Sequence, residues 1–321
     1  MADPTGTVVV LAGGLSHERE VSLRSGRRVA TALRETGHTV LEADVNGQLL
    51  SVLADADDPL VFPVLHGGAG EDGALREVLD VLGVSYIGST GRASHIAFDK
   101  AVATPLVAAA GFATPRQAAL PQDMFRELGA HALVEALASG IGFPMMVKPA
   151  QSGSSLGCTR VESADALPAA IVTAFGYGEV AIVEEFIEGR EVAVSVVDLG
   201  DGPTALPAVE IEPVSGPYDY AARYTAGQTR FSAPADLPAA VADACADLAV
   251  QAHRILGLRD VSRTDLIIRD DTPYFLEVNV APGMTDTSLL PLAIEASGVS
   301  FEEICSSLVA AARGREESAS A

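Results

Sequence analysis

Short apolar runs alternate with helical periods along the first part of the chain. Three runs are predicted to be strands: residues 7–12, 39–45 and 60–65. The first of them is continuously apolar, as a buried parallel strand would be. Helical periodicity covers residues 20–36 and 74–82, and Ser16 is a candidate cap for the first of these helices. Strands separated by helices predict a parallel sheet covered on both faces, so residues 1–93 are expected to form an α/β domain.

Two further units follow this domain. Residues 94–178 contain two helical stretches, a strand and a loop rich in glycine and serine, and residues 179–314 begin with alternating strands and end in helices. In the latter unit, residues 238–256 are Ala-rich and predict a helix with Pro238 in its first turn. Residues 315–321 are expected to be a frayed tail.

Composition and charge narrow the class of protein. The 321 residues are 48% hydrophobic and 20% charged, which is typical of a globular chain. A formal charge of −22 without any cluster of Lys and Arg argues against nucleic acid and anionic membranes as partners. No apolar run reaches the roughly 18 to 20 residues of a membrane span, and the first apolar run lacks the basic stretch of a secretory signal.

The three cysteines, Cys158, Cys245 and Cys305, lie in no spaced motif. An odd number of unpatterned cysteines indicates reduced thiols, so we expect a soluble, cytoplasmic protein. We interpret all three side chains as small hydrophobes that are buried or half-buried.

Residues 262–279 predict a β-hairpin. Asp270-Asp271-Thr272 is a polar turn between two alternating runs. Folding about Asp271 creates three expected cross-strand pairs: Asp265 with Glu277, Arg263 with Asn279, and Ile267 with Phe275. Because side chains alternate between the two faces of a strand, one face is expected to be largely apolar. Its members are Leu266, Ile268, Tyr274, Leu276 and Val278.

The other face of this hairpin carries Arg263, Asp265, Glu277 and Asn279. Two carboxylates directly opposite each other repel unless a cation neutralises them. Mg²⁺ prefers oxygen ligands and commonly takes one or two carboxylates together with phosphate oxygens and water. The pattern therefore indicates a metal site, and the residues alone leave open a solvated polar face with an Arg–Asp pair.

A glycine- and serine-rich segment, KPAQSGSSLG at residues 148–157, follows an apolar strand. Small residues allow a tight turn with several exposed backbone N–H groups, which is a phosphate-binding geometry. Lys148 adds a positive charge at the strand end. The segment is not a Walker A motif, and an ordinary flexible loop is the alternative.

Seven blocks of sequence, in order and spacing, resemble the D-alanine–D-alanine ligase family of the ATP-grasp superfamily over residues 8–309. The blocks are LAGGLSHEREVSLRSG, VFPVLHGGAGEDGALREVLDVLGVSYIGS, AFDK, FPMMVKPAQSGSSLG, VEEFIEGREV, YDYAARYTAGQT and SRTDLIIRDDTPYFLEVNVAPGMTDTSLLP. The resemblance implies an ATP-grasp fold, in which an α/β N-terminal domain is followed by two α+β lobes that clasp ATP. Residues 94–178 would form the central lobe and residues 179–314 the C-terminal lobe.

The reaction that the resemblance implies joins two D-alanines. ATP phosphorylates the carboxylate of the first, and the amine of the second attacks the acylphosphate. Mg²⁺, expected as two ions that Mn²⁺ can replace, would bind to Asp265, Glu277 and Asn279. Arg263 and the backbone N–H of Gly283 would stabilise the acylphosphate and the tetrahedral intermediate.

The resemblance also assigns residues to the nucleotide and to the two amino acids. The nucleotide set is Lys100, Lys148, Ser155, Glu184, Glu185, Ile187, Glu191 and Arg223. In the first amino-acid site, Glu18 would bind the ammonium with Ser154 and Tyr224 as its partners, and His66 would lie nearby. Ser288 and Leu289 would bind the second carboxylate at a helix start. Without the resemblance, Glu18 would simply favour a helix N-terminus and His66 would be a satisfied loop histidine.

Two positions depart from the family pattern. Arg223 stands before Tyr224 where lysine is usual, and Val280-Ala281 replaces the usual residues after Asn279. Arg and Lys are not equivalent near phosphate, so a different second substrate is an alternative, as in specialised biosynthesis or antibiotic self-resistance. Residues 218–230 are expected to be a mobile lid. The family also implies a homodimer that acts on D-alanine or similar small amino acids.

Overall fold

The structure is a computed structural model that describes residues 6–214, 225 and 227–320, with side chains as far as residue 315. Arg223, Tyr224 and most of the expected lid lie outside the described residues. Among those that are described, no helix combines the length and the apolarity of a membrane span. Cys245 and Cys305 are buried and Cys158 is half-buried, and all three are free thiols, as expected.

The N-terminal domain is built on a four-stranded parallel sheet of order β2-β1-β3-β4. Its elements are β1 (Thr7–Leu11), α1 (Arg19–Glu35), β2 (Thr39–Ala43), α2 (Leu49–Asp55), β3 (Leu60–Pro63), α3 (Ala74–Leu82) and β4 (Ser85–Tyr86). Val8 and Val10 of β1 pack with Leu33 of α1 on one face. Val9 packs with Leu53 of α2 on the other face. Both faces are covered, which confirms the predicted α/β domain.

The start of α1 differs from the expected one. Glu18 is the residue that precedes the first helical turn, and its side chain makes no capping hydrogen bond. Ser16 lies two residues earlier, where its Oγ accepts a hydrogen bond from the Glu18 N–H at 3.1 Å and donates one to the carbonyl of His66. The prediction of Ser16 as the cap was therefore wrong. The Ser16 hydroxyl joins two loops instead. The Glu18 carboxylate does not cap the helix either.

The central lobe has a four-stranded antiparallel sheet of order β5-β8-β6-β7. Its elements are β5 (Gln117–Pro121), α6 (Gln122–Leu128), α7 (Ala130–Gly140), β6 (Met145–Pro149), β7 (Thr159–Val161), α8 (Leu167–Phe175) and β8 (Val180–Glu185). Strand β8 pairs with both β5 and β6, so it belongs to this sheet and not to the C-terminal lobe. The boundary between the lobes follows Glu185, later than the expected position after residue 178.

The C-terminal lobe has a six-stranded sheet of order β12-β11-β9-β13-β14, in which β10 also pairs with β9. The strands are β9 (Arg190–Val197), β10 (Thr204–Ala205), β11 (Val209–Pro213), β12 (Thr229–Ser232), β13 (Val261–Arg269) and β14 (Thr272–Asn279). The helices after β12 are α9 (Ala239–Ile255), α10 (Leu289–Ser297) and α11 (Phe301–Ser320). Pro238 precedes α9 with an extended ψ of 140°, so it caps this helix and does not lie in its first turn. The two α+β lobes agree with the expected fold.

Two helices expected in the central lobe pack elsewhere. They are α4 (Gly91–Phe98) and α5 (Lys100–Ala109). Ala97 of α4 and Val107 of α5 share a core with Leu266 and Phe275 of the C-terminal sheet. Two helices that precede the central lobe in sequence therefore pack against the C-terminal lobe. Lys100, in the second of these helices, belongs to the C-terminal lobe.

The last helix ties the end of the chain to its beginning. Helix α11 runs to Ser320, past Gly314, where a frayed tail was expected. Arg313 pairs with Asp58 of the N-terminal domain at 3.0 Å. Arg315 holds the buried Asp260 through two hydrogen bonds, one of them at 2.8 Å, and Asp260 also accepts a hydrogen bond from the Gly88 N–H at 2.6 Å. These contacts provide the tertiary support that the sequence pattern did not reveal.

Asp260→Asn is expected to lower the free energy of unfolding by about 3 kcal/mol, because it breaks a buried pair and leaves Arg315 without its anion. Urea denaturation measures this change. Asp58→Asn is the matched control, since Asp58 pairs with the same helix while its side chain is 63% exposed. The control is expected to cost less than about 1 kcal/mol, as exposed ion pairs do. Equal losses in the two variants would contradict the buried role of Asp260.

Candidate active site

The open end of the β13–β14 hairpin brings four polar residues together. Arg263 lies opposite Asn279, and Asp265 lies opposite Glu277. Both pairs are as predicted from the sequence. The hairpin therefore places two carboxylates and one amide on adjacent strands, at the end of the sheet that faces the other two units.

The closed end of the hairpin differs from the prediction. Arg269 pairs with Thr272, so the turn contains only Asp270 and Asp271, which have left-handed φ values of 50° and 61°. A two-residue turn of this kind shifts the register by one residue relative to a turn centred on Asp271. Without a compensating feature, this shift would separate the carboxylates at the open end.

A β-bulge provides the compensation. The register shifts between Asp265, which lies opposite Glu277, and Leu266, which lies opposite Phe275. Leu276 is the extra residue on β14. The bulge restores the pairing at the open end, so Val278 keeps its predicted face. Between the turn and the bulge the shifted register reverses the faces of Tyr274 and Phe275.

The apolar face was therefore only partly predicted. Phe275, expected opposite Ile267 on the polar side, is fully buried in the core with Leu266, Ile268 and Val278. Tyr274 and Leu276, expected in that core, are only partly buried. The Tyr274 hydroxyl instead accepts a hydrogen bond from Arg269, whose guanidinium stacks 4.4 Å from the ring centroid.

Each hairpin carboxylate has a cation beside it. Arg263 donates two hydrogen bonds to Asp265, at 2.7 and 2.8 Å, and both side chains are buried. Lys100 reaches Glu277 from helix α5 at 3.0 Å and also donates to the carbonyl of Ser152 at 2.7 Å. The Arg–Asp pair of the alternative interpretation is thus present, next to the oxygen atoms of the predicted metal site.

The side-chain oxygen atoms of Asp265, Glu277 and Asn279 are of the type that binds hard cations. Within the described residues, no group of three or more His, Cys, Asp or Glu side chains is arranged to hold a metal ion. The hairpin provides two carboxylates and the amide of Asn279, which corresponds to the small protein share in a Mg²⁺ site completed by phosphate and water. Its chemistry suits a hard cation that arrives with a phosphate ligand.

The glycine- and serine-rich loop after β6 has an unusual backbone. Ser154 and Ser155 have φ values of 51° and 58°, which non-glycine residues rarely adopt. Successive residues in helical and left-handed conformations turn their N–H groups to one side, as anion-binding nests do. Ser154 is also held by its side chain, because its Oγ donates to Glu18 Oε1 at 2.6 Å.

The carboxylate of Glu18 sits in a crowded polar corner. Gly67 has a φ of 70°, and a β-carbon on it would lie 2.6 Å from Glu18 Oε2. A β-carbon on Gly153 would lie 3.3 Å from the same oxygen. The glycines of the HGG and QSGSS segments therefore leave room for this carboxylate, which faces the cleft and not the helix end.

Glu71 is a site residue that the sequence reasoning missed. It is buried beside the cleft, and burial, followed by the nearby Glu18 carboxylate, raises the pKa of Glu71 to about 8. A buried carboxyl with a shifted pKa is a common feature of functional sites. Its place in the GEDG block was the available signal, but a sequence gives no measure of burial in a loop.

His66 is buried at the rear of the cleft, and both ring nitrogens have partners. Nδ1 lies 3.0 Å from the carbonyl of Ala281, and Nε2 lies 3.2 Å from the Oγ of Ser25. Burial lowers the pKa of His66, so the ring is neutral. It lines the same cleft as Glu18, but its polar atoms are directed at the protein.

The loop that follows β14 reaches the start of α10. Ser288 precedes the first turn of α10, and its Oγ accepts a hydrogen bond from the Thr285 N–H at 3.1 Å. A β-carbon on Gly283 would lie 2.8 Å from Ser288 Oγ, so only glycine allows this close approach. Leu289 is the first helical residue, and the N–H groups of this turn lack helical partners.

One cleft of about 580 Å³ connects these features at the junction of the three units. Eight of the predicted site residues line it: Glu18, His66, Ser154, Arg263, Asn279, Gly283, Ser288 and Leu289. Lys100 and Glu277 line a smaller adjoining space with Glu71 and Asn279. The predicted amino-acid residues and the metal residues are thus brought together, apart from Tyr224, which lies outside the described residues.

The described members of the predicted nucleotide set do not line this cleft. Lys100 of α5 lines the adjoining space, Arg223 lies outside the described residues, and the others lie on the strands of the two lobes or in the loops next to them. Lys148 and Glu184 form a buried pair at 2.6 Å. Burial disfavours the charged ammonium, but Glu184 outweighs it and the pKa of Lys148 is raised. Glu185 is held by Arg269 at 2.8 Å and Arg116 at 3.2 Å, so its carboxylate joins the two lobes. The other predicted members are Ser155, the buried Ile187 and Glu191 of β9.

Comparisons with known proteins identify the chains that this one resembles. A family model described as D-ala D-ala ligase C-terminus matches residues 106–310. The D-alanine–D-alanine ligase of Acidiphilium cryptum is 42% identical over 307 residues, which are 94% of this chain and 97% of that protein. The D-alanine–D-alanine ligase of Desulforudis audaxviator is 40% identical over 309 residues, 95% of this chain and 98% of that protein.

Solved structures of ligases superpose on this chain over nearly its whole length. The VanG D-Ala:D-Ser ligase from Enterococcus faecalis superposes with a TM-score of 0.84 at 28% identity, covering 96% of this chain and 99% of that one. The D-alanine–D-alanine ligase from Bacillus anthracis has a TM-score of 0.82 at 29% identity, covering 97% and 99%. The same enzyme complexed with ATP has a TM-score of 0.79 at 27% identity, covering 98% and 99%.

Glu71→Gln is expected to stabilise the protein at pH 8 but not near pH 4.5. A carboxyl whose pKa rises on folding, here from 4.5 to about 8, binds its proton more tightly in the folded state. The wild-type protein therefore loses stability as pH rises through this interval, by up to a few kcal/mol. Glutamine, which mimics the neutral acid, removes that loss.

Urea denaturation of both proteins at the two pH values measures the effect of this change. The exposed Glu127 of α6 provides the control Glu127→Gln, for which we expect the same small change at both pH values. A Glu71→Gln effect that did not depend on pH would show that the side chain is ionised in the folded protein.

Proposed function

The chain belongs to the D-alanine–D-alanine ligase family, and on that basis we propose that it is an ATP-dependent ligase that joins two D-alanines for peptidoglycan precursor synthesis. The observation that carries the proposal is the cleft itself. Glu18, Arg263, Gly283 and the start of α10 line one space, and this supports the proposal. These are the groups that two amino acids and an acylphosphate require.

The first D-alanine would bind by its ammonium to Glu18. Ser154 donates to Glu18 Oε1 at 2.6 Å and helps to orient this carboxylate, which lines the cleft. A fixed carboxylate holds a small substrate with little loss of side-chain entropy on binding. Tyr224, which lies outside the described residues, is proposed as a further partner of Glu18.

The chemistry would take place between Arg263 and Gly283. A carboxylate oxygen of the first D-alanine attacks the γ-phosphorus of ATP, and ADP leaves. The amine of the second D-alanine then loses a proton and attacks the acyl carbon, and inorganic phosphate leaves with the bonding electrons. Arg263 and the Gly283 N–H would stabilise the oxygen charge that develops at each stage.

The second D-alanine would bind by its carboxylate at the start of α10. Ser288 provides a hydroxyl there, and Leu289 and Leu290 provide N–H groups in the first turn of the helix. The helix dipole adds to the attraction of an anion at this end. This orientation directs the amine of the second substrate back toward the first.

ATP would place its phosphates near Lys100 and Lys148. Both ammonium groups are buried and paired with Glu277 and Glu184, so they are held in place before the nucleotide binds. The backbone of the Ser154–Ser155 nest is a further phosphate ligand. Glu185, Ile187 and Glu191 are proposed to surround the adenosine, with Arg223 of the undescribed segment approaching the terminal phosphate.

Mg²⁺ is proposed to bind at Asp265, Glu277 and Asn279. When bound, it would supply positive charge that neutralises phosphate oxygens during transfer. Asp265 accepts two hydrogen bonds from Arg263, so it would contribute a carboxylate whose orientation is fixed. Lys100 lies 3.0 Å from Glu277 and holds the second carboxylate in place.

A different second substrate is the alternative activity. The similarity to a D-Ala:D-Ser ligase at 28% identity allows it, but relatives named D-alanine–D-alanine ligase share about 40% with this chain and favour D-alanine. Of the departing residues, Val280 and Ala281 are buried in the wall of the site. The side chain of Ala281 adds little volume, so it leaves space for a small second substrate.

We also propose that the protein forms a homodimer through an apolar face of helix α3. Helix α3 exposes Val78, Val81 and Leu82, with 46%, 88% and 47% of their surfaces accessible. These positions lie on one helical face, and grouped exposed apolar side chains often mark an interface. This face of the N-terminal domain supports the expected association of two copies.

The purified protein is expected to release phosphate from MgATP with D-alanine as the sole amino acid, and mass spectrometry should identify D-alanyl-D-alanine. Glu18→Gln should lower kcat/KM by about 10- to 100-fold, because a hydrogen bond to a charged group is lost. Turnover only after addition of another amino or hydroxy acid would favour the alternative activity. No turnover with any acid in the panel would reject a ligase.

Asn279→Ala is expected to raise the Mg²⁺ concentration for half-maximal rate by at least about tenfold, as loss of metal-site groups commonly does. Steady-state rates over a Mg²⁺ titration measure this value. Thr272→Ala at the exposed turn of the same hairpin is the control and should leave the titration unchanged. An unchanged midpoint in Asn279→Ala would remove this residue from the metal site.

A further inference from the structure

The segment that carries Gly283 depends on helix α1 for its position. Residues 281–284 form an irregular loop between β14 and α10, where no strand or helix fixes the backbone. Ala281 and Met284 are buried at the boundary between the N-terminal domain and the C-terminal lobe. Their polar backbone atoms therefore need partners from the other unit.

Two side chains of the N-terminal domain supply these partners. The Met284 N–H donates to Ser25 Oγ at 3.2 Å, and the Ala281 carbonyl lies 3.0 Å from His66 Nδ1. Ser25 Oγ and His66 Nε2 are 3.2 Å apart, which closes the connection between the two tethers. Gly283 lies between the two anchored residues.

The donor and the acceptor of each of these three hydrogen bonds can be assigned. A carbonyl can only accept, so His66 Nδ1 carries the proton and donates to Ala281. The neutral ring then accepts at Nε2, and the Ser25 hydroxyl must be the donor. Ser25 Oγ still accepts from Met284, so all donors and acceptors are satisfied in a single arrangement.

We propose that Ser25 and His66 are positioning residues that set the location of the Gly283 N–H through this hydrogen-bonded relay. The inference deepens the proposed function, on which it rests, because it assigns His66 to the oxyanion glycine and not to direct contact with substrate. In the described part of the chain, no acceptor is bonded to the Gly283 N–H, which leaves it available to the cleft.

The relay also links the two substrate sites. Ser25 lies seven residues after Glu18 on the same helix, which is about 10 Å along its axis at 1.5 Å per residue. One rigid element thus carries the ammonium clamp at its start and the support for Gly283 two turns later. The distance between the first substrate and the oxyanion donor is set by the helix, and not by the loop.

A separate contact would keep the loop attached to helix α1 if the relay were lost. Arg28, on the next turn of α1, pairs with Asp286 at 3.1 Å, and its guanidinium stacks 4.1 Å from the centroid of the Phe301 ring. These contacts hold the loop beyond Gly283. Variants of Ser25 and His66 are therefore expected to fold with a displaced N–H group.

A double-mutant cycle tests the proposal. Ser25→Ala and His66→Gln should each lower kcat by about 10- to 100-fold, since a small displacement of an oxyanion donor has effects of that size. The KM for ATP should change little. The double variant should lose no more than the larger single loss, because both changes break one relay. His66→Asn, whose amide can replace Nδ1 as the donor to Ala281, should recover part of the rate.

Hydrogen exchange provides a readout that needs no turnover. The amide of Met284 should exchange faster in Ser25→Ala than in the wild-type protein. Ser22→Ala is the matched control, because Ser22 is an equally buried serine on the same helix that bonds Gly13 and Val64 instead. It should leave both the exchange of residues 281–284 and kcat close to their wild-type values.

Two results would overturn the relay. One is a Ser25→Ala variant with wild-type kcat and wild-type exchange, and the other is a double variant whose loss equals the product of the single losses. A wild-type protein that makes no dipeptide would reject the proposed function, while the exchange data would still decide whether the relay positions the loop.

Discussion

The pairing of Asp265 with Glu277 across one hairpin is the constraint on which the site depends. Two carboxylates side by side in a buried place repel each other, so the fold must bring a cation to each. Arg263 comes from the same strand, and Lys100 comes from a helix that the chain forms much earlier. This requirement explains why α4 and α5 pack on the C-terminal sheet although the central lobe follows them in sequence.

Three carboxylates lie close together around the cleft of a strongly acidic protein. Glu18 and Glu71 line the cleft, and Glu71 and Glu277 line the adjoining space, between the proposed first amino-acid site and the proposed metal site. Such a series is tolerable only because one member stays protonated, as the raised pKa of Glu71 indicates, and another is paired with Lys100. An ammonium substrate and a divalent cation would relieve the remaining repulsion, which matches the ligands proposed for this space.

The three units contribute different kinds of precision. The hairpin fixes charges, and the serine loop fixes backbone donors through a strained conformation at Ser154. Helix α1 fixes distances, since its start holds Glu18 while Ser25 supports the loop of Gly283. A shared core between β1, α1, α10 and α11 keeps the N-terminal domain and the C-terminal lobe in one arrangement. The site lies where these constraints meet.

The sequence by itself determined the α/β domain, the hairpin and the pairing of Asp265 with Glu277, because alternation and apolar runs are local properties of the chain. The predicted turn was one residue too long, but the predicted pairs at the open end were correct. They are correct because a bulge at Leu276, which no local pattern reveals, offsets the shorter turn. Only the tertiary structure decided that β8 joins the central sheet, that Glu71 is buried, and that both nitrogens of His66 are engaged. Burial and partnership depend on segments far apart in the chain, and no single stretch of sequence contains that information.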